Sequence, residues 1–165
     1  MNYLEELVAE WYEFRGYFVR RNIRVGKRSK GGYEGELDVV AFHPETRHLV
    51  HIEPSMDALS WKKRDERFRK KFRAGQKFIP GLFAGLDIPG KVEQIALLQF
   101  ASKRNRTTVG GGTLMLVSEL LVEVLTELRE RSVASHAVPE DKPILRTLQF
   151  VAENKAVAFE ALDGG

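Results

Sequence analysis

The chain has 165 residues, no cysteine and a formal net charge of +3. Without thiols there can be no disulfide framework and no thiolate zinc site, so any metal must be held by oxygen or imidazole. No apolar stretch approaches the roughly 20 residues of a membrane span and no signal-peptide pattern opens the chain, which predicts a cytoplasmic protein with no membrane partner.

The charge is unevenly divided. Residues 1–110 hold 21 Lys/Arg against 14 Asp/Glu, and residues 111–165 hold 5 against 9. An anionic partner for the first part follows from that asymmetry, the alternative being a solvated surface of mixed charge. The length suits one domain, here read as a core over 1–110 with covering helices over 113–155.

The periodicity predicts a first helix over about Leu4 to Arg15, with an apolar stripe of Leu4, Leu7, Val8, Trp11 and Phe14. On a 100° wheel Glu6, Glu10 and Glu13 fall toward solvent, while Glu5 sits on the flank of the stripe and is expected to point inward. An acid near a helix N-terminus is also favoured by the dipole alone. Tyr17 to Val25 alternates as a strand, followed by Gly26 to Gly35, a glycine-rich basic stretch expected as a mobile loop. Arg24, Lys27, Arg28 and Lys30 there are candidates to grip phosphates.

Two short apolar runs follow, Leu37 to Phe42 and Leu49 to Ile52, joined by a polar turn at Pro44, the pattern of adjacent hairpin strands. Each run carries one carboxylate, Asp38 in the first and Glu53 after the second. A buried carboxylate is costly unless paired or bound to a metal. Alternation puts Glu36, Asp38 and Val40 on one face, and Leu49, His51, Glu53 and Ser55 on one face of the partner strand. Asp38 and Glu53 are therefore expected to converge on one cation. His51 is read as a hydrogen-bonded core histidine ahead of a metal ligand or base; His43, His48 and His136 fall in turns and are assigned nothing.

The G-E-L-D strand, the second strand ending in E-P-S, and Glu5 in a helix running into G-Y-F-V-R-R-N together resemble the PD-(D/E)xK nuclease superfamily, the restriction-endonuclease-like fold, and within it archaeal Holliday-junction resolvases and small bacterial nucleases. The resemblance covers about the first hundred residues. It implies an α/β domain with a mixed sheet of about four strands flanked by helices, and metal-dependent hydrolysis of DNA, with RNA left open. Asp38, Glu53, the Pro54 carbonyl and Glu5 would then present hard oxygen ligands to Mg²⁺ or Mn²⁺. The family's lysine, two residues after the second acid, is here Ser55. Ser55 would place the attacking water, or Lys62 or Lys63 would reach in, or the chain is a nucleic-acid-binding module, with a homodimer or a larger complex left open.

Ser60 to about Ile79 is predicted as a helix with a seam of Trp61, Phe68, Phe72 and Ile79. Nine of the residues from Lys62 to Lys77 are basic, with Lys63, Arg67, Lys70 and Lys77 opposite the seam, the main nucleic-acid signal of the chain. Pairs Asp65–Arg69 and Glu66–Lys70 would account for two of these charges structurally. Val92 to Phe100 reads as a central strand, and Ser102 to Thr113 as a second basic loop with Lys103, Arg104 and Arg106. Thr113 is a candidate cap for a helix from Leu114 to Arg131, its free N–H groups open to an anion, unless the glycines before it form a plain hinge. A last helix is expected from Pro143 to about Asn154, and Ala156 to Gly165 carries no signal.

Overall fold

A computed structural model describes residues 3–164. The alternating runs form a single mixed sheet of six strands in the order β1-β2-β3-β4-β6-β5, flanked by helices. The strands are β1 (Phe18–Lys27), β2 (Tyr33–His43), β3 (His48–Ser55), β4 (Glu93–Leu98), β5 (Thr108–Val109) and β6 (Gly112–Leu116). The helices are α1 (Tyr3–Phe14), α2 (Trp61–Leu82), α3 (Val117–Leu128), α4 (Pro143–Glu153) and α5 (Lys155–Asp163). The chain divides into two compact units, Met1–Val117 and Ser118–Gly165.

In the first unit, β1, β2 and β3 form an antiparallel meander, while β4 and β6 run parallel to β3 and β5 closes the edge antiparallel to β6. The β3–α2–β4 crossover is the element that builds the site. The apolar seam of α2 packs Phe68 and Phe72 on Ala96, Leu98, Val109 and Leu114, and Ile79 on Val25, Leu37, Val40, Phe42, Leu49 and Phe83. Val39, Ala41, Val50 and Ile52 are also buried, and alternation turns them to the opposite face of the sheet, where α1 covers the meander.

Four expectations are corrected by this architecture. The sheet has six strands where about four were expected. The mobile loop over Gly26 to Gly35 is a short turn between two long strands, with Arg28 N–H donating to Gly32 O and β2 already under way at Tyr33. Leu114 to Leu116 lie in β6, so the helix starts at Val117 and Thr113 caps nothing. The glycine run is a two-residue hairpin turn: Gly110 and Gly111 take φ of +59° and +93° between the paired Val109 and Gly112, a backbone that side chains avoid.

In the second unit, the fully buried Gln149 ties the chain between α3 and α4. Its carboxamide oxygen accepts from Val138 N–H, and its NH₂ donates to the carbonyls of Arg131 and His136. Ala156 to Asp163, which carried no sequence signal, belongs to helix α5, whose residues are not buried.

Candidate functional site

The site begins with an irregularity in β2. Gly35 faces Ala74 of α2 and Leu37 shares the cluster under α2, yet so do Val40 and Phe42. Strict alternation would put odd and even residues on opposite faces, so the alternation breaks between Leu37 and Asp38. Across the ladder Asn22, opposite Asp38, takes φ +50°, and the paired residues on either side are Arg21↔Val39 and Ile23↔Leu37. On the other side the β2–β3 ladder runs only from Val39↔Ile52 to His43↔His48. Beyond it Pro54 has no N–H to extend the pairing. In that notch Asp38 N–H donates to Glu53 Oε1 at 3.3 Å.

Asp38 and Glu53 thus meet on the face covered by α2, and one cation lies between them: Lys71. Its ammonium donates to Asp38 Oδ1 and Oδ2 at 2.8 and 2.7 Å, and to Glu53 Oε2. Glu53 is 1% and Asp38 7% exposed, whereas the Lys71 side chain keeps 22%, so the site opens to solvent along the lysine. Burial, reinforced by the hydrogen bond and the charge of Glu53, pushes the Asp38 carboxyl up to about 6 against the pull of Lys71. Burial works against the Lys71 charge too, but Glu53 and Asp38 outweigh it and hold the ammonium above its ordinary range. Lys71 was missed because it sits in a basic run, although the spacing Phe68, Lys71, Phe72, Gly75, Ile79 puts it in the apolar seam.

Behind the carboxylates, His51 is fully buried and bonds Glu53 Oε1 through Nε2 at 2.7 Å, in line with its reading as a core histidine. Burial first, and the Lys71 ammonium second, press its pKa down to about 3. The Asp38 charge pulls the other way, but burial and Lys71 outweigh it, so the neutral imidazole prevails.

The remaining sequence candidates separate. Ser55 is buried, but its hydroxyl donates to Asp57 Oδ2, so it is committed to a structural contact and is not free to place a water. Asp57 also accepts from Leu59 N–H at 3.1 Å, Arg64 Nε at 3.0 Å and Arg67 Nη1 at 2.8 Å. Burial raises its pKa, yet Ser55, Leu59 and Arg64 together hold it below the usual carboxylate range. The buried Arg64 further donates to the carbonyls of Asp57 and Phe100, linking the segments that leave β3 and β4. Lys62 and Lys63 are exposed at the start of α2, and the lysine that reaches the carboxylates is Lys71. Pro54 is buried in β3, in register with Leu97.

In α1 the acid that turns fully inward is Glu10, 1% exposed, and not Glu5, which is half-buried; Glu6 and Glu13 both pair with Arg21 of β1. The wheel misplaces Glu10 because it lies beside Leu7 and Trp11 on a helix covered over more than one face. Among the described residues no group of three or more acidic or histidine side chains forms a metal-holding cluster, and Glu5 is carried by α1, which covers the face of the sheet opposite α2. The donor set that remains still suits a hard divalent cation. Two carboxylates both reach one point, marked by the Lys71 nitrogen, and both are oxygen donors.

The basic residues sort into two groups. Arg67, Lys77, Arg106 and Arg24 carry partners: Asp57, Glu34 (2.7 Å), Asp65 (2.5 Å) and Glu36 (3.6 Å). The expected pair Asp65–Arg69 gives way to Arg106, stacked over Trp61, and to the Gly110 N–H, which together hold Asp65 below its usual range. Lys27, Arg28, Lys30, Lys62, Lys63, Lys70 and Arg104 are exposed and Lys103 half-exposed. An open groove of about 710 Å³ runs between the β1–β2 turn and α2. Arg28, Arg69, Lys70, Arg73 and Lys77 line it with Glu34 and Glu66. Arg69 and Arg73 were passed over because the wheel does not put them opposite the seam.

No protein-family model and no curated protein matches this chain. A solved structure described as a protein of unknown function, AF1548, aligns over 98% of both chains with 17% identity and a TM-score of 0.49. No helix among the described residues is long and apolar enough to cross a membrane.

Proposed function

We propose that this chain is a metal-dependent endonuclease of the PD-(D/E)xK kind, hydrolysing phosphodiester bonds in DNA, with Lys71 of α2 in the role of the motif lysine that Ser55 vacates. The observation that carries this reading is the contact of one lysine ammonium with both strand carboxylates, Asp38 and Glu53.

Asp38 and Glu53 would hold Mg²⁺ or Mn²⁺, and such a cation supplies Lewis acidity toward a phosphodiester and makes water a better nucleophile. The protein's own part is electrostatic and positional. Glu53 is buried and fixed by His51 at Oε1, so its other oxygen, Oε2, does not wander. Lys71 is charged and half-open to solvent, which suits an ammonium that orients a water or a phosphoryl oxygen. The groove lined by Arg28, Arg69, Lys70 and Arg73 offers phosphate contacts along the same helix.

Calorimetry with Mn²⁺ and cleavage assays on plasmid, linear, single-stranded and branched DNA test the proposal. Asp38→Ala and Glu53→Ala should each lose metal binding and cleavage, whereas Lys71→Ala should keep Mn²⁺ and lose cleavage by about 100-fold or more. Unchanged Mn²⁺ affinity in both acid variants would overturn the metal site. Replacing Arg69, Lys70 and Arg73 together should weaken DNA binding alike for all sequences and lower its salt slope by as much as about three, from the lost phosphate contacts.

A second reading, a nuclease-fold DNA-binding module without activity, is favoured by two facts: Lys71 already sits where a cation would, and Ser55 is tied to Asp57. It predicts DNA binding with no cleavage of any substrate by wild-type protein in Mg²⁺ or Mn²⁺.

A further inference from the structure

Behind the carboxylates runs a chain of polar groups that the proposed chemistry does not itself require. His51 is fully buried, and one nitrogen, Nε2, lies 2.7 Å from Glu53 Oε1. The other, Nδ1, lies 3.3 Å from the side-chain nitrogen of Gln94 in β4. That same nitrogen donates to the carbonyl of Phe72 at 2.8 Å, and Gln76 Nε2 donates to Gln94 Oε1 at 3.0 Å. The Phe72 contact fixes the orientation of the Gln94 amide, since a carbonyl oxygen accepts only from NH₂, and the Gln76 NH₂ then meets the Gln94 oxygen.

Once the amide is oriented, the imidazole tautomer follows. Gln94 presents N–H to Nδ1, so Nδ1 is the unprotonated acceptor and the ring proton sits on Nε2, donated to Glu53. Around the ring lie Glu53 on its own strand, Asp38 on β2, Lys71 on α2 and the uncharged Gln94 on β4. Space enforces the same arrangement. A Cβ on Gly75 would come within 2.4 Å of His51 Nδ1 and 3.1 Å of Gln94 Nε2, so α2 meets the sheet at a glycine that leaves room for the ring and nothing more.

We infer that His51 is a positioning residue: held by Gln94 as the Nε2–H tautomer, it pins Glu53 Oε1 from behind so that only Oε2 is offered to the cation and to Lys71. The inference rests on the metal reading above and deepens it. A carboxylate fastened at one oxygen loses no rotational freedom when its other oxygen binds, so cation affinity and geometry both depend on the ring.

The test uses the full chain, with ¹⁵N-histidine labelling and Mn²⁺ titration on the folded fraction. In the metal-free protein the ring nitrogens should report the Nε2–H tautomer in wild type and a mixture in Gln94→Met; an Nδ1–H tautomer in wild type overturns the inference, whatever the metal does. His51→Gln, whose amide NH₂ can replace the Nε2–H donor, should keep Mn²⁺ affinity within a few fold, while His51→Leu should lose 10-fold or more, the scale of a missing outer partner. Equal losses in both variants, or equal affinity in both, would mean that the histidine only fills space, and the inference would fall while the metal site stood. Absence of Mn²⁺ binding in wild type would instead strike the metal reading, and the inference with it. Should His51→Leu not fold, Gln94→Met carries the comparison, with a several-fold loss of Mn²⁺ affinity expected and none overturning the proposal.

Discussion

Helix α2 faces two carboxylate centres, one within and one just beyond the C-terminal end of β3, and their charge balances are opposite. At one, two acids, Asp38 and Glu53, share the single ammonium of Lys71. At the other, a single acid, Asp57, is held by two guanidiniums, the Ser55 hydroxyl and a backbone N–H. The second is a saturated clamp: its carboxylate has more donors than charge. The first has a surplus of negative charge in a buried notch, and the strain shows in Asp38, pushed up to about 6, while Asp57 is held below its ordinary range. A centre short of positive charge is one that a further cation stabilises; a saturated centre gains nothing from it.

The sharpest way to break this contrast is to remove the cation from the deficient centre. Lys71→Met should cost roughly 3–5 kcal/mol of stability at pH 8, because two buried carboxylates lose their only counter-charge. Urea titrations should recover part of that loss on adding Mn²⁺, and a variant that unfolds no more easily than wild type would show the two acids to be otherwise neutralised.

Acidity separates the centres next. A carboxyl whose pKa is raised contributes stability that is complete below about 3.8 and is lost as the pH rises through about 6, so ionising Asp38 weakens the fold. Asp57, with its depressed pKa, contributes stability that is present above 3.8 and is lost as the pH falls through its lower folded value. His51, lowered from 6.5 to about 3, acts in the same sense as Asp57: its contribution is full above 6.5 and is lost as the pH falls through about 3. Asp38→Asn should therefore steepen the rise of stability between pH 4 and 6, and Asp57→Asn should flatten the acid limb at a cost of about 1–3 kcal/mol. Mn²⁺ affinity should weaken by about tenfold per unit below pH 6, where Asp38 holds its proton. Opposite slopes from those stated would reverse the assignment of the two centres.

The smallest effect belongs to the outer guanidinium of the clamp. Arg67 is 43% exposed, and Arg67→Ala should shift stability by less than about 1 kcal/mol, since the buried Arg64 still holds Asp57. A loss as large as that of Lys71→Met would mean that the clamp is not saturated after all.

Much of the first unit was legible from the chain. Alternation found β1 and short apolar runs found β2, β3 and β4, and the carboxylates set in and after two of those runs, Asp38 and Glu53, are the ones that converge. What was not legible depends on contacts that sequence spacing does not encode. Leu114 to Leu116 fit a helix as well as a strand, and only the pairing with Ala96 to Leu98 decides for β6. The glycine run reads as a hinge until Gly110 is seen donating to Asp65. Ser55 looked available because its partner, Asp57, lies in an unpatterned segment. Lys71 was hidden by its neighbours: in a run of nine basic residues, nothing but its position beside the seam marks it, with Arg64, as one that turns inward.

The approach of α2 at Gly75 also makes the helix a ruler. A helix resting on bulky side chains can slide along a sheet with modest repacking, but here Gly75 meets the His51 ring and the Gly110 turn lies against Phe68 and Arg69, where added Cβ atoms would come within 2.4 Å. These two notches, nearly two turns apart, fix the axial setting of everything between them, Lys71 included. Displacement by one helical turn, about 5.4 Å, would carry its ammonium clear of both carboxylates. The position of the charge is thus inherited from two places where the chain has no side chain at all.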